Sequence, residues 1–449
     1  MTEKNDKMEK LTSLCKRRGF IFPGSEIYGG LANSWDYGPL GHQLKQNIKK
    51  AWWKFFVQER DDMVPFDSAI IMNPKVWEAS GHLQNFSDQL VECKKCHHRF
   101  RIDQIPEFEG KKFDEISCPD CKGSFTEPKS FNLMFKTFIG TTEDNTSTAY
   151  LRPETAGGMF VNFKNVQNTT RHRLPFGIAQ VGKCFRNEIT PGNFIFRTRE
   201  FEIGEFEYFI NPKDWEKVFE MWLSEIRRWW KDVMQVNMDN LVWHEIEDGE
   251  RAHYSKRTVD IEYQYPFGVR ELHGIAYRTD FDLSRHEKVS GQDLHYTDPE
   301  TNEKFLPHVI EPTFGIDRML LVCLLEAYSE EEAPTAEKGE TEARVVMKFP
   351  KHLAPIQVAI LPLSKKEELS SVAKNLAKDL RKDFLVDYDE TQSIGKRYRR
   401  QDEIGTPYCV TVDFDSLEDK KVTVRDRDTM VQERIEIGGL KDYLLSKFN

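Results

Sequence analysis

Nowhere in this chain do about eighteen apolar residues run together, as a membrane-spanning helix would need, and the charged opening from Met1 to Arg18 lacks the apolar core of a secretory signal. A soluble, cytoplasmic protein with no membrane partner is expected. Cysteine is scarce, 8 in 449 residues, too few for a disulfide scaffold in a chain of this length. Positive charge is in deficit as well, with a formal net charge of −10. That argues against a general nucleic-acid coat, but it leaves room for a locally basic face, because net charge governs solubility and long-range steering. Internal repeats are missing, and the one biased tract is acidic.

What is present is length: 449 residues are about three times an ordinary domain, so two or three domains are expected. The acidic tract, about 326–345, carries Glu330, Glu331, Glu332, Glu337 and Glu340 with Pro334 and Gly339, and reads as a linker. It divides residues 1–345 from 346–449. In the tail, Ile356 to Leu363 reads as a buried strand, Leu369, Val372, Leu376 and Leu380 as a helix, and Tyr408 to Phe414 and Lys421 to Arg427 as strands, which together predict a small α/β domain. Before the tract, Ile316 to Leu325 is apolar on nearly every side and predicts a central helix. Trp215, Val218, Phe219, Trp222, Ile226, Trp229 and Val233 recur at helical spacing behind Asp214, a candidate N-cap. Ile178 to Phe185, a Pro191-Gly192 turn and Arg197 to Ile210 predict an antiparallel hairpin. Its apolar phase slips beside Gly204, which predicts a bulge.

Four of the cysteines, Cys93, Cys96, Cys118 and Cys121, form two CxxC pairs in a polar segment of about 88–127. Two such knuckles can close a sulfur tetrahedron around a structural Zn2+, with no position left for catalysis; the alternative is two unrelated buried or redox pairs. Phe185-Arg186-Asn187-Glu188 and Arg197-Thr198-Arg199-Glu200-Phe201 converge from neighbouring strands, and guanidinium forks with an aromatic face suit a nucleotide. An exposed salt-bridged sheet would give the same pattern. Glu311 to Arg318 leads into the apolar helix and sets Arg318 in its first turn, where a buried guanidinium needs an anion or a carboxylate such as Asp317. Leu151-Arg152-Pro153-Glu154-Thr155 followed by Ala156-Gly157-Gly158 is by itself an ordinary loop. Lys396-Arg397-Tyr398-Arg399-Arg400 is the densest basic run, either a contact to an RNA backbone or a solvated helix face.

Taken together these runs resemble a class II aminoacyl-tRNA synthetase of subclass IIa, within the homodimeric glycyl-tRNA synthetase family. Phe185 to Glu188 with Phe201 resembles motif 2, Gly315 to Arg318 motif 3, and Ile48 to Glu59 with a strand ending at Pro74 motif 1. Arg18-Gly19-Phe20, Trp35 to Gly41, Trp77 to His82, Arg152 to Thr155 and Glu311 to Thr313 are similar at the level of the glycyl family. The resemblance implies an antiparallel-sheet catalytic core of α+β type with an inserted zinc ribbon, then a mixed α/β anticodon-binding domain, in an α/β protein overall.

It also implies the site. ATP with Mg2+ would be held by Arg186, Asn187, Glu188, Phe196, Arg197, Thr198, Arg199, Glu200, Phe201, Glu271, Leu272, Gly315, Ile316, Asp317 and Arg318, with Arg186 and Arg318 carrying the catalytic charge stabilisation. Glycine would be held by Arg101, Glu154, Phe201, Glu202, Ile203, Gly204, Glu205, Glu311, Pro312, Thr313, Phe314 and Gly315. The partners implied are tRNA(Gly) and a second copy of the chain, joined through motif 1, where Trp52, Trp53, Phe55 and Phe56 are either interface or internal core. The neighbouring readings are a class IIa synthetase of threonyl, prolyl or histidyl specificity and a non-catalytic relative. The first is disfavoured by cysteines that saturate their metal, the second by intact Arg186, Glu188, Phe201 and Arg318.

Overall fold

The structure is a computed structural model describing residues 2–102, 105, 115–189, 192–252, 254–334 and 341–448. Pro191, Glu337, Gly339 and Glu340 of the predicted turn and linker lie outside them. The chain opens with helix α1 (Thr2–Arg18), followed by α2 (Pro39–Trp53) and strand β1 (Met63–Pro65). After a cysteine-bearing module come β2 (Phe176–Phe185), β3 (Glu200–Ile210), α3 (Trp215–Arg228), β4 (Leu241–Glu245), β5 (Arg257–Tyr265), β6 (Gly268–Thr279), α4 (Phe281–Ser290), β7 (His308–Gly315) and α5 (Ile316–Ala327). One seven-stranded sheet gathers the strands in the order β4-β5-β6-β7-β3-β2-β1. Every pairing is antiparallel except that of β1 with β2. The strand of motif 1 therefore ends at Pro65 and not at Pro74, which precedes the short helix Lys75–Ser80.

Proline at the first position of α2 fits a site whose amide hydrogen has no helical partner. The buried face of α2 carries Gly41, Leu44, Ile48 and Trp52 at three- and four-residue spacing and packs on α5, of which nearly every residue is buried. Trp52 lies in the space left by Gly204, where a methyl group would approach its ring to 3.1 Å, and its ring meets Phe56, Phe206 and Phe314. Trp52 and Phe56 thus belong to the chain's own core and offer no dimer surface, whereas Trp53 and Phe55 are only half-buried.

Two local expectations change. The β2–β3 ladder runs without a register shift from Glu200↔Phe185 to Phe209↔Phe176, so Gly204 marks no bulge. The apparent slip has another cause: β3 is buried on both faces from Ile203 onward, with Phe206, Tyr208 and Ile210 packed in one cluster and Phe209 in another. The helix after it is capped by the Asn211 side chain, which accepts from the Lys213 amide in a preceding turn, while Asp214 makes no side-chain cap.

Among the described residues the acidic tract is paired strand rather than linker, with β8 (Tyr328–Pro334) antiparallel to β9 (Thr341–Met347) from Tyr328↔Met347 outward. Glu330 pairs with Lys10 at 3.1 Å. Buried Arg344 reaches Glu331 at 3.2 Å within the hairpin and Asp402 at 3.1 Å in the tail, while donating to the Arg427 carbonyl at 2.6 Å. The tail comprises β10 (Val358–Pro362), α6 (Glu367–Leu380), β11 (Val386–Tyr388), α7 (Ile394–Ile404), β12 (Tyr408–Val412), β13 (Lys421–Asp426), β14 (Gln432–Glu436) and α8 (Leu440–Phe448). Its mixed sheet has the order β11-β10-β12-β13-β14. The basic run lies on α7 but is not uniformly solvated: Arg397 is buried and donates to the carbonyls of Pro362, Leu363 and Asp389.

The tightest helix contact is testable. A Cβ on Gly41 would stand 1.9 Å from the Phe20 carbonyl oxygen, a backbone atom that cannot swing aside. Gly41→Ala is expected to lower unfolding stability by about 3 kcal/mol in urea titration, whereas Gly438→Ala, which meets open space, should leave the midpoint in place.

Candidate functional site

The β2–β3 hairpin, the start of β6 and the β7–α5 junction enclose a cavity of about 320 Å³. Strand alternation decides which side chains reach it. On β3, Phe201 and Ile203 face the cavity and Glu205 and Glu207 continue the same face. On β7, Thr313 and Gly315 lie opposite Glu205 and Ile203. The alternate residues point away. Glu202 pairs with Lys45 and Lys49, Gly204 sits against Trp52, and Phe314 stacks on His273 in the core with ring centroids 4.4 Å apart. Of the contiguous runs 201–205 and 311–315, then, only every second side chain stands on the site face.

One end of the cavity is cationic. Arg186 donates to the Pro153 carbonyl at 3.1 Å and holds its guanidinium between the rings of Phe201 and Phe86, 5.3 and 5.4 Å from their centroids. Arg318 lies over Phe196 at 4.5 Å and donates to the Glu271 carbonyl at 2.9 Å, with the Glu271 carboxylate 3.3 Å away. Arg197 completes this end. Burial lowers its pKa most; Glu188 opposes that, and the nearby Arg101 and Arg318 add to the lowering. Arg101 is braced by Asp88 at 3.0 Å on the cavity wall, and buried Glu188 leaves one carboxylate oxygen without a hydrogen bond.

Other predicted nucleotide residues stand elsewhere. Arg199 donates to the Ala32 carbonyl and Glu200 pairs with exposed Lys183, so both turn outward. Asn187 meets Leu133 through its backbone, and Ile316 is core. Asp317 borders the cavity, but its carboxylate is engaged by Lys45 at 2.6 Å, the Glu202 amide at 2.7 Å and the Tyr37 hydroxyl. It ties the first turn of α5 to α2 and β3.

Beyond Thr313 the site face becomes anionic and dry. Glu205 accepts from the Thr155 amide at 3.2 Å, the Thr155 hydroxyl at 2.5 Å and the Thr313 hydroxyl at 2.8 Å. Glu311 takes both of its contacts from Arg278, at 3.0 and 2.8 Å, and the same guanidinium grips Asp282 at 2.7 and 2.9 Å. Burial opposes ionisation of Glu154, but His82 at 3.2 Å together with Arg278 and Arg186 outweighs it and holds the carboxyl down at about 2. Burial pushes Glu311 the other way, up to about 8.

Sequence reasoning missed Arg278, His82 and Asp260. The alternation of Val259, Ile261, Tyr263 and Tyr265 could have revealed β5, and with it Asp260, whose carboxyl burial and the neighbouring Glu271 and Glu262 raise to about 7. Arg278 carried a signal too, in the four-residue spacing to Asp282.

The four cysteines meet outside the cavity, beside the strands Ser87–Glu92 and Arg99–Arg101. Both knuckles are built alike: the amides of Cys93 and Cys118 donate to the carbonyls of His98 and Gly123, and His97 and Lys122 take left-handed φ of 59° and 60°. Sulfur separations are 3.4 Å for Cys93–Cys121 and 3.7 Å for Cys96–Cys118, and all four Sγ lie within 4.8 Å of one another. Those spacings fit a tetrahedron with metal–sulfur bonds of about 2.3 Å.

Two family models match the chain, the tRNA synthetase class II core domain (G, H, P, S and T) over residues 135–328 and the anticodon binding domain over 357–447. The glycine–tRNA ligase of Thermobifida fusca is 53% identical over 460 residues, covering 100% of this chain and 99% of its own length. That of Acetivibrio thermocellus is 54% identical over 463 residues, covering 98% of each. Among solved structures, the prolyl-tRNA synthetase of Cryptosporidium parvum, complexed with halofuginone and AMPPNP, matches with a TM-score of 0.65 at 16% identity, over 98% of this chain and 75% of that one. At that identity it speaks for the fold.

Arg278 is the cation on which the anionic chamber rests. Arg278→Met strands Glu311 and Asp282 and is expected to cost about 3 to 5 kcal/mol at pH 7. A carboxyl with a raised folded pKa confers stability that is full below its unfolded value and lost as pH rises through the folded one. Glu311 is already raised to about 8, and more so without its arginine, so its proton is held alike in both proteins from pH 5 to 7 and denaturant titrations should show the deficit of the variant growing as pH rises past 8.

Proposed function

The chain belongs to the glycine–tRNA ligase family of class II aminoacyl-tRNA synthetases, and we propose that it activates glycine with ATP and transfers it to the 3′ end of tRNA(Gly). The observation that carries this reading is the polarity of the site, in which an arginine-lined nucleotide-sized cavity opens onto a buried layer of carboxylates. One end suits a polyphosphate and the other a primary ammonium.

In this reading Phe201 stacks on adenine, Glu188 accepts from its amino group, Arg186 holds the α-phosphate and Arg318 the γ-phosphate. Glu271, already 3.3 Å from Arg318, is the carboxylate suited to the Mg2+ that accompanies ATP. Glu154, Glu205 and Glu311 receive the glycine ammonium and Arg101 its carboxylate. That carboxylate attacks the α-phosphorus in line and pyrophosphate leaves. The arginines neutralise growing charge, and no protein nucleophile takes part. The terminal ribose hydroxyl of tRNA then takes the glycyl group and AMP departs. Glu205, pinned by Thr155 and Thr313, and Glu311, pinned by Arg278, cannot give way, so the chamber excludes a side chain by sterics and needs no editing site.

We further infer two functional regions, 1–345 for catalysis and 346–449 for the anticodon, in a homodimer that works in the cytoplasm. The cysteine cluster would hold a structural Zn2+, supplying rigidity to the module that carries Arg101.

ATP–pyrophosphate exchange with each of the twenty amino acids should respond to glycine alone, and Arg318→Ala should lower kcat/KM by at least about 100-fold. Exchange with threonine, proline or histidine instead would refute the carboxylate chamber as a glycine site. Metal analysis should find one zinc per chain, lost in Cys118→Ser together with several degrees of Tm.

A further inference from the structure

Where β3 and β7 run side by side, one buried carboxylate has no hydrogen bond at all. Glu205 and Glu207 share a face of β3, and the β3–β7 register places Glu311 level with Glu207. Oxygens of the three lie within 4.8 Å of one another. Glu207 is fully buried, and neither of its side-chain oxygens has a partner.

Its surroundings show why. Titratable and charged groups reach Glu207 from its own strand as Glu205, from β7 as Glu311, from β6 as Arg278 and from α4 as Asp282, with His286 one turn further on. β2 presents Ile178 across the ladder, and the short helix Ala156–Val161 brings the apolar Met159 and Phe160. Arg278 spends its donors on Asp282 and Glu311, while Thr155 and Thr313 spend theirs on Glu205. Carboxylates this close in a dry interior cannot all be ionised, and a shared proton settles on the group whose anion is least supported. Glu207 is that group. Burial, then Glu311 and Glu205, hold its carboxyl well above the usual range.

We propose that Glu207 is a positioning residue of the glycine site, carrying a proton at neutral pH and donating it as a hydrogen bond to Glu311 or Glu205, so that those carboxylates are fixed in orientation and the chamber keeps one negative charge fewer. The role in glycine binding rests on the function proposed above; the proton does not. An uncharged hydrogen-bond donor at this place turns a repelling acid cluster into an ordered acceptor for a single ammonium.

Infrared difference spectra between ligand-free wild type and E207Q at pH 7 test the proton. The wild-type-minus-E207Q difference is expected to carry a carboxylic-acid C=O band beyond any that Glu311 gives in both proteins; a difference without that band overturns the proposal. Exchange kinetics test the positioning. E207L should raise the KM for glycine about tenfold or more at an unchanged KM for ATP, and E207Q, neutral and able to donate, should recover most of that loss, with thermal melts verifying that both variants fold. Wild-type KM for glycine in both variants would overturn the positioning role. Wild type that exchanges with no amino acid would refute the functional reading, leaving the infrared band to decide the proton by itself.

Discussion

Burial of β3 on both faces is the constraint from which the rest follows. A strand in that position cannot place polar groups on a solvent side, so each residue must meet either the apolar layer of α2 and α5 or the opposite face. Phe206, Tyr208 and Ile210 take the first, with Gly204 yielding its side-chain volume to Trp52. Glu205 and Glu207 take the second. A single strand therefore supplies the keystone of the core and the floor of the site, and the rigidity of the one is transmitted to the other. Asp317 joins the two layers by binding Lys45 on α2 and the backbone of β3 from the first turn of α5.

Electrostatics then divide the site along its length. The cations Arg101, Arg186, Arg197 and Arg318 line the cavity, and Glu205, Glu207 and Glu311 lie buried beyond it. This placement follows the cost of desolvation. Guanidinium groups are weakly hydrated and can lie over aromatic rings, as Arg318 does over Phe196. Buried carboxylates need donors, and the chamber has a short supply: Arg278, two threonine hydroxyls, one amide and His82. A site so provisioned is charged toward its ligands before they arrive, and little reorganisation is left for the moment of reaction.

Much of this was legible in the sequence where spacing alone fixes the structure. The CxxC pairs, the tryptophan-rich helix after Asp214 and the apolar helix after Gly315 all rest on local periodicity. Resemblance brought the right strands into view, but contiguous motifs overstated the site, because pleating sends Glu202, Gly204 and Phe314 to the far face. The acidic hairpin was illegible for a different reason. Glu331 looks like part of a solvated linker until Arg344 and Lys348 are brought alongside it by the β8–β9 pairing. Arg278 was missed because its importance lies in which acids converge on it, and Glu311 is 33 residues away.

The clamped hairpin also sets a length. A flexible tether would let the catalytic cavity and the tail sheet wander relative to each other. With Arg344 locked between Glu331 and Asp402, and Arg17 and Arg18 of α1 tied to Glu403 on α7, the two are held at one span. The distance between cavity and tail sheet is thereby a property of the fold, fixed by ion pairs and not by the reach of a loop.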